Sequence, residues 1–154
     1  MKGVIIAAGY GTRFLPVTKT VPKEMLPVIN KPCIDFIVDE FLASGINEIL
    51  ILTSRRKKAL DDYFDREIEL GVEASKADIF FKRQTEMKGT GHALLQVKAF
   101  VGNEPFVVAY PDDLHMGAVP LAAQLIKKYE ETGCSVMSAL HNPPHLERYG
   151  VIKP

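Results

Sequence analysis

Short aliphatic and β-branched runs alternate with stretches of helical periodicity, and this alternation limits the chain more than any other feature. Val4–Ala7, Glu48–Thr53, Ile79–Lys82, Phe106–Tyr110 and Ser135–Leu140 read as strands. Most lack polar alternation, the pattern of strands buried on both faces. Between them the spacing predicts helices over Pro32–Ser44, Lys57–Phe64, Gly91–Val101 and Leu121–Thr132. In the first of these, Pro32 suits an opening turn and Gly45 suits the left-handed position past the end. Ile34, Ile37, Val38, Phe41 and Leu42 share one face of it. Leu60, Tyr63 and Phe64 are expected to face inward from the second helix, and Ala93, Leu94, Val97 and Val101 from the third, which Gly102 closes. Gly133 ends the fourth, and the Pro143-Pro144 pair marks residues 141–148 as a loop. Residues 66–78 carry no clear period, while Tyr149–Pro154 reads like the start of another strand, so a longer parent chain is expected. The order of elements predicts an α/β fold: a mostly parallel sheet with helices on both faces, a three-layer α/β/α arrangement of Rossmann-like type.

The 154 residues suit a single domain, and an apolar share of 47% with 25% charged residues is that of a globular chain. Lys plus Arg equals Asp plus Glu at 19 each, which argues against a nucleic-acid partner, since such binders normally carry a basic excess. Any anion site must be built locally. No apolar run approaches the roughly eighteen residues of a membrane span, and the N-terminal apolar stretch is too short for a signal peptide. Cys33 and Cys134 make no disulfide framework. A cytoplasmic location is the expectation.

The first strand runs into Gly9-Tyr10-Gly11-Thr12-Arg13. Glycines let a backbone turn sharply and bring its N–H groups close to phosphate oxygens. The dinucleotide fingerprint is excluded because its third glycine falls on Phe14, and the P-loop because its second glycine falls on Pro16. Arg13, Lys19 and Lys23 follow with no acid among them before Glu24, so a neutral chain carries a local positive site here. Tyr110-Pro111-Asp112-Asp113 closes a buried strand, and ligands of open parallel sheets collect beyond the strands' carboxyl ends. A carboxylate there is placed to hold Mg²⁺, which prefers oxygen ligands. His115, His141 and His145 read as surface residues, His92 as a structural residue at a helix start, and both cysteines as small core residues.

The string Ala7-Ala8-Gly9-Tyr10-Gly11-Thr12-Arg13-Phe14-Leu15-Pro16, followed by Pro22-Lys23-Glu24-Met25-Leu26-Pro27, resembles the signature of bacterial UTP–glucose-1-phosphate uridylyltransferases. Lys82-Arg83-Gln84, then Lys88-Gly89-Thr90-Gly91-His92-Ala93, resembles a second family segment, and Tyr149-Gly150-Val151 a third. The resemblance implies a reaction between UTP and glucose 1-phosphate that forms UDP-glucose and pyrophosphate, with Mg²⁺ as cofactor. By it, Ala8, Gly9, Gly11 and Thr12 would contact the nucleotide, and Arg13 and Lys23 would act on its phosphates and the incoming phosphate. Gln84 and Gly89 would meet the uracil edge, a role that fits an amide carrying both donor and acceptor. Glu24 would approach the base or ribose, Gly150 the sugar, and Asp112 the metal ion. Members of the family are nearly twice as long. Their later part supplies a second metal-binding aspartate, a Glu-Lys pair for the sugar phosphate and much of a homo-oligomer interface. A dTTP-dependent thymidylyltransferase of the same fold, a non-catalytic nucleotide-binding module and a plain α/β domain stand as alternatives.

Overall fold

Alternate residues of a strand point to opposite faces of its sheet, and here both faces are apolar. The computed structural model describes residues 1–65, 75–148 and 150–152. In chain order its regular elements are β1 (Lys2–Ile6), β2 (Pro27–Val28), β3 (Lys31–Pro32), α1 (Cys33–Ala43), β4 (Glu48–Thr53), α2 (Lys58–Phe64), β5 (Asp78–Arg83), α3 (Gly89–Gln96), α4 (Lys98–Val101), β6 (Phe106–Ala109) and α5 (Leu121–Thr132). Four strands form a parallel sheet in the order β5-β4-β1-β6, with Ile5 opposite Ile51 on one side and Ala109 on the other. The short β2 and β3 pair antiparallel as a separate ribbon.

Ile5, Ile49 and Ile51 pack with Ile34, Ile37, Val38 and Phe41 of α1, Leu60 and Phe64 of α2 and Ala122 of α5. The intervening Val4, Leu50 and Leu52 pack with Ala93, Val97 and Val101 on the opposite face. This is the three-layer arrangement the alternation of elements predicts. Gly3 belongs to it by size: a Cβ there would lie 2.5 Å from Cδ2 of Phe41. The buried Phe41 ring occupies the space a side chain would need. Helix α5 is tied to α1 by the carboxylate of Glu40, whose Oε1 accepts from the Ala122 N–H at 2.9 Å, satisfying one of the free donors of a helix start. Gly133 closes α5 at φ 66°, donating to Tyr129 O at 2.7 Å.

Several sequence expectations are corrected. The helix expected over Gly91–Val101 is two, α3 and α4. At Val97 the chain tightens, its N–H bonding Leu94 O three residues back, while its side chain stays wholly buried. Tyr63 is exposed at 38%, unlike Leu60 and Phe64 beside it. Cys134 is exposed at the end of α5 and is not a core residue. Ser135–Leu140 is not a strand: Met137 and Leu140 are about 70% exposed, and β6 pairs only with β1 among the described residues. A strand needs a neighbour for its N–H and C=O groups, and among the described residues nothing is bonded along the outer edge of β6. The stretch without a clear period and Tyr149 lie wholly or partly outside the described residues.

Candidate functional site: a nucleotide cleft at the sheet's carboxyl edge

Strand β1 has β4 on one side and β6 on the other, and the crevice opens beyond its carboxyl end, where ligands of such sheets collect. A cleft of about 350 Å³ lies there, lined by Ala8, Gly9 and Tyr10 after β1, Gln84 after β5, Gly89, Thr90 and Ala93 of α3, Tyr110 and Asp112 after β6, and Lys23. The loop leaving β1 begins buried, with the Ala7 N–H donating to Leu52 O at 2.8 Å, and emerges at Gly9 and Tyr10. At Gly9 an added Cβ would meet nothing within 4 Å, so the backbone there borders open space. Gly11 is required by conformation: its φ is 67° and its carbonyl accepts from Thr18 Oγ1 at 2.7 Å. The chain then makes three short 3-10 turns, Thr12–Phe14, Val17–Lys19 and Lys23–Met25, which return it to the cleft at Lys23.

Lys23 Nζ lies 2.6 Å from Asp112 Oδ2 across the cleft. The lysine is 19% exposed and the aspartate 41%, so both ends of the pair are within reach of a solute. The cation expected at the phosphates and the carboxylate expected at the metal therefore neutralise each other in this conformation. Beneath them the Cys33 thiol is buried and donates to Pro111 O at 2.8 Å. Burial pushes its pKa up, the Asp112 and Glu24 charges add to that, and Lys23 opposes them.

The buried polar side chains converge on the same edge. Among the described residues these are Glu24, Thr53, Ser54, Lys57 and Gln84. Thr53 ends β4, Ser54 and Lys57 follow it, Gln84 follows β5, and Glu24 sits in the third 3-10 turn, Lys23–Met25. Lys57 Nζ donates to Ala7 O at 2.6 Å and to Glu24 Oε1 at 2.7 Å. It joins the start of the glycine loop to the turn that carries Lys23. Its pKa is lowered chiefly by burial, against which the Glu24 carboxylate acts. Gln84 is anchored by its N–H to Thr53 O at 2.8 Å, and its amide nitrogen lies 3.2 Å from His92 Nδ1.

Of the residues singled out in the sequence, Ala8, Gly9, Lys23, Gln84, Gly89 and Asp112 meet around one cleft. Gly11, Thr12 and Arg13 stand in the adjoining turn and do not line it, and Lys19 is exposed. Glu24, expected near the base or ribose, is wholly buried in this conformation, and its carboxylate faces Lys57. A buried carboxylate needs a paired cation, and Lys57 supplies it. Gly150 is exposed and away from the cleft lining. Lys57 is the functional candidate the sequence reading missed. In the run Arg55-Arg56-Lys57-Lys58 it alone is buried. The available signal was its spacing to Leu60 and Phe64, which puts it on the inward stripe of α2.

A glycine loop, a polar edge at the switch of strand order and a cation–carboxylate pair across the cleft are the parts of a nucleotide-handling α/β protein. The chain belongs to the nucleotidyl transferase family, whose model matches residues 2–154. Within that family it is 42% identical over 170 residues to UTP–glucose-1-phosphate uridylyltransferase 1 of Staphylococcus saprophyticus subsp. saprophyticus, covering 99% of this chain and 59% of the relative. A solved UDP-glucose pyrophosphorylase complexed with UDP-glucose superposes with a TM-score of 0.78 at 41% identity, over 86% of this chain and 54% of that one. The UTP-bound UGPase from Acinetobacter baumannii gives 0.79 at 32% identity, over 86% and 53%. The chain thus spans little more than half the length of the proteins it matches. No helix among the described residues is long and apolar enough to cross a membrane.

Proposed function

We propose that this chain binds UTP in the cleft between the glycine loop and Asp112, as the nucleotide part of a transferase that makes UDP-glucose and pyrophosphate from UTP and glucose 1-phosphate. The observation that carries the proposal is the Lys23–Asp112 pair, 2.6 Å apart across a cleft bordered by Gly9 and Gln84. In the reaction an oxygen of the sugar phosphate attacks the α-phosphorus of UTP, and the bond to the β-phosphate breaks. Two polyanions must be brought together, so the residues' task is positioning and charge compensation. Lys23 exchanges its aspartate for phosphate oxygens; a close charge contact of this kind is worth roughly 4 kcal/mol at an effective dielectric near 20, before desolvation. Arg13, exposed in the adjoining turn, is assigned to the departing pyrophosphate. The loop amides beyond Ala8 face the phosphates, and Gln84 and Gly89 face the uracil edge.

Asp112 would hold Mg²⁺ together with phosphate oxygens and waters. The donor set fits, since Mg²⁺ is often held by one or two carboxylates plus substrate phosphates, and Asp112 Oδ1 is not engaged by Lys23. When bound, the ion supplies charge neutralisation at the reacting phosphates. Mg²⁺ dependence, a cytoplasmic location and homo-oligomer formation by a longer chain carrying this unit belong to the same proposal.

Calorimetry with UTP and Mg²⁺, with dTTP as competitor, tests the binding step. Lys23→Ala should weaken UTP about 10- to 100-fold, and Asp112→Asn should remove the Mg²⁺ dependence. A pyrophosphate-release assay on this chain and on one extended past Pro154 tests the reaction. Binding of UTP that is indifferent to both substitutions would refute the placement of the triphosphate.

A further inference from the structure

His92 stands between two glutamine amides. Gln84 Nε2 lies 3.2 Å from its Nδ1, and Gln96 Nε2 lies 3.3 Å from its Nε2. A neutral imidazole accepts at one nitrogen and donates at the other, so it cannot accept from both amides. One of the two must present its oxygen. Gln84 is 5% exposed and lines the cleft, whereas Gln96 is half-buried, on the next turn of α3. Two relays satisfy every group; the one that keeps the buried Gln84 amide as placed has Gln84 donating to Nδ1, while Nε2–H donates to the oxygen of Gln96. From this arrangement we infer that His92 is a positioning residue that holds the Gln84 amide in one of its two orientations and thereby selects the base.

The chemistry of selection follows from the amide. Held by one N–H on His92, Gln84 offers the cleft a carbonyl oxygen beside its second N–H. That edge complements an imide, which presents an N–H beside a carbonyl, as uracil does. A cytosine edge is reversed, with a ring nitrogen acceptor beside an amino donor. To meet it the amide must turn over, which brings its oxygen against the unprotonated Nδ1 unless the ring proton and the Gln96 amide reverse together with it. His92 thus opposes cytosine without touching it, a repulsive element as well as an attractive one. The inference rests on the reading of the cleft as a uridine nucleotide site, and the tests below separate the two.

Two measurements decide it. Nitrogen-15 NMR of the unliganded chain reads the His92 tautomer; the Nε2–H form is expected, and the Nδ1–H form would overturn the inference. Calorimetry with UTP and with CTP, each with Mg²⁺, reads the preference. His92→Leu removes the acceptor and should narrow the UTP/CTP ratio about tenfold. His92→Asn, whose side-chain oxygen can take the place of Nδ1, should keep most of the ratio. An unchanged ratio in His92→Leu, with UTP still bound, overturns the role of His92. Should that variant not fold, loss of the ratio in the folded Asn variant has the same meaning. If Gln84→Leu leaves UTP affinity unchanged, the uridine reading of the cleft fails instead, while the tautomer result stands by itself.

Discussion

Replacing Lys57 by methionine removes a cation that is 5% exposed and leaves the Glu24 carboxylate, at 0% exposure, with no counter-charge. Among the described residues Glu24 Oε2 has no hydrogen-bond partner, and the carboxylate is compensated through Oε1 and Lys57. Deleting one member of a buried pair costs about 3–5 kcal/mol, because the other is left charged in a poor solvent. The Ala7 carbonyl loses its donor as well, adding about 1 kcal/mol. With a urea m-value near 2 kcal/mol/M, a combined loss of about 5 kcal/mol lowers the unfolding midpoint by about 2.5 M. The double variant Lys57→Met/Glu24→Gln removes both charges and should recover most of that loss, since neutral replacement of a whole buried pair is often tolerated. Equilibrium urea unfolding of the two single variants, the double and the wild type gives the coupling directly. A Lys57→Met midpoint within about 0.3 M of wild type, or a double variant no more stable than Lys57→Met, would refute the reasoning.

The same lysine predicts a pH dependence. Its pKa in the folded state lies below the ordinary 10.5, so between the two values the unfolded chain binds more protons and stability rises with pH. The wild-type minus Lys57→Met difference in unfolding free energy should therefore grow from neutral pH toward 10.5, and a flat difference would contradict it. Gly3→Ala should cost about 1–3 kcal/mol by overpacking against Phe41, read as a lower melting temperature, with Phe41→Leu in the same chain restoring part of it. Cys134, exposed, should react with iodoacetamide at least about tenfold faster than Cys33, whose thiol is buried and held above its ordinary pKa. Peptide mass spectrometry of partly labelled protein reads the two rates.

Local chemistry determined a good deal by itself. Uninterrupted aliphatic runs at Val4–Ala7 and Glu48–Thr53 can be buried only in a sheet covered on both faces, because neither side of such a strand tolerates water. Gly11 and Gly133 occur where the backbone takes positive φ, Gln84 and Asp112 follow the ends of strands, and Lys23 and Gly89 open a 3-10 turn and a helix. The glycines and the strand-end position of Asp112 were legible because periodicity and turn chemistry act over a few positions, whereas Gln84 and Gly89 were nominated by the family resemblance. What tertiary structure decided depends on partners far apart in sequence. Ser135–Leu140 has strand-like residues but, among the described residues, no neighbour to bond. Glu24 lies in the segment that reads as nucleotide-binding, yet it is consumed by a lysine 33 residues away. Lys57 looks like one of four solvated cations until the fold places it under the Ala7 carbonyl. His92 acquires a task only when β5 and α3 bring two amides to its two nitrogens. Burial and hydrogen-bond satisfaction are properties of the packed chain, so the sequence could nominate these groups but only the fold could pair them.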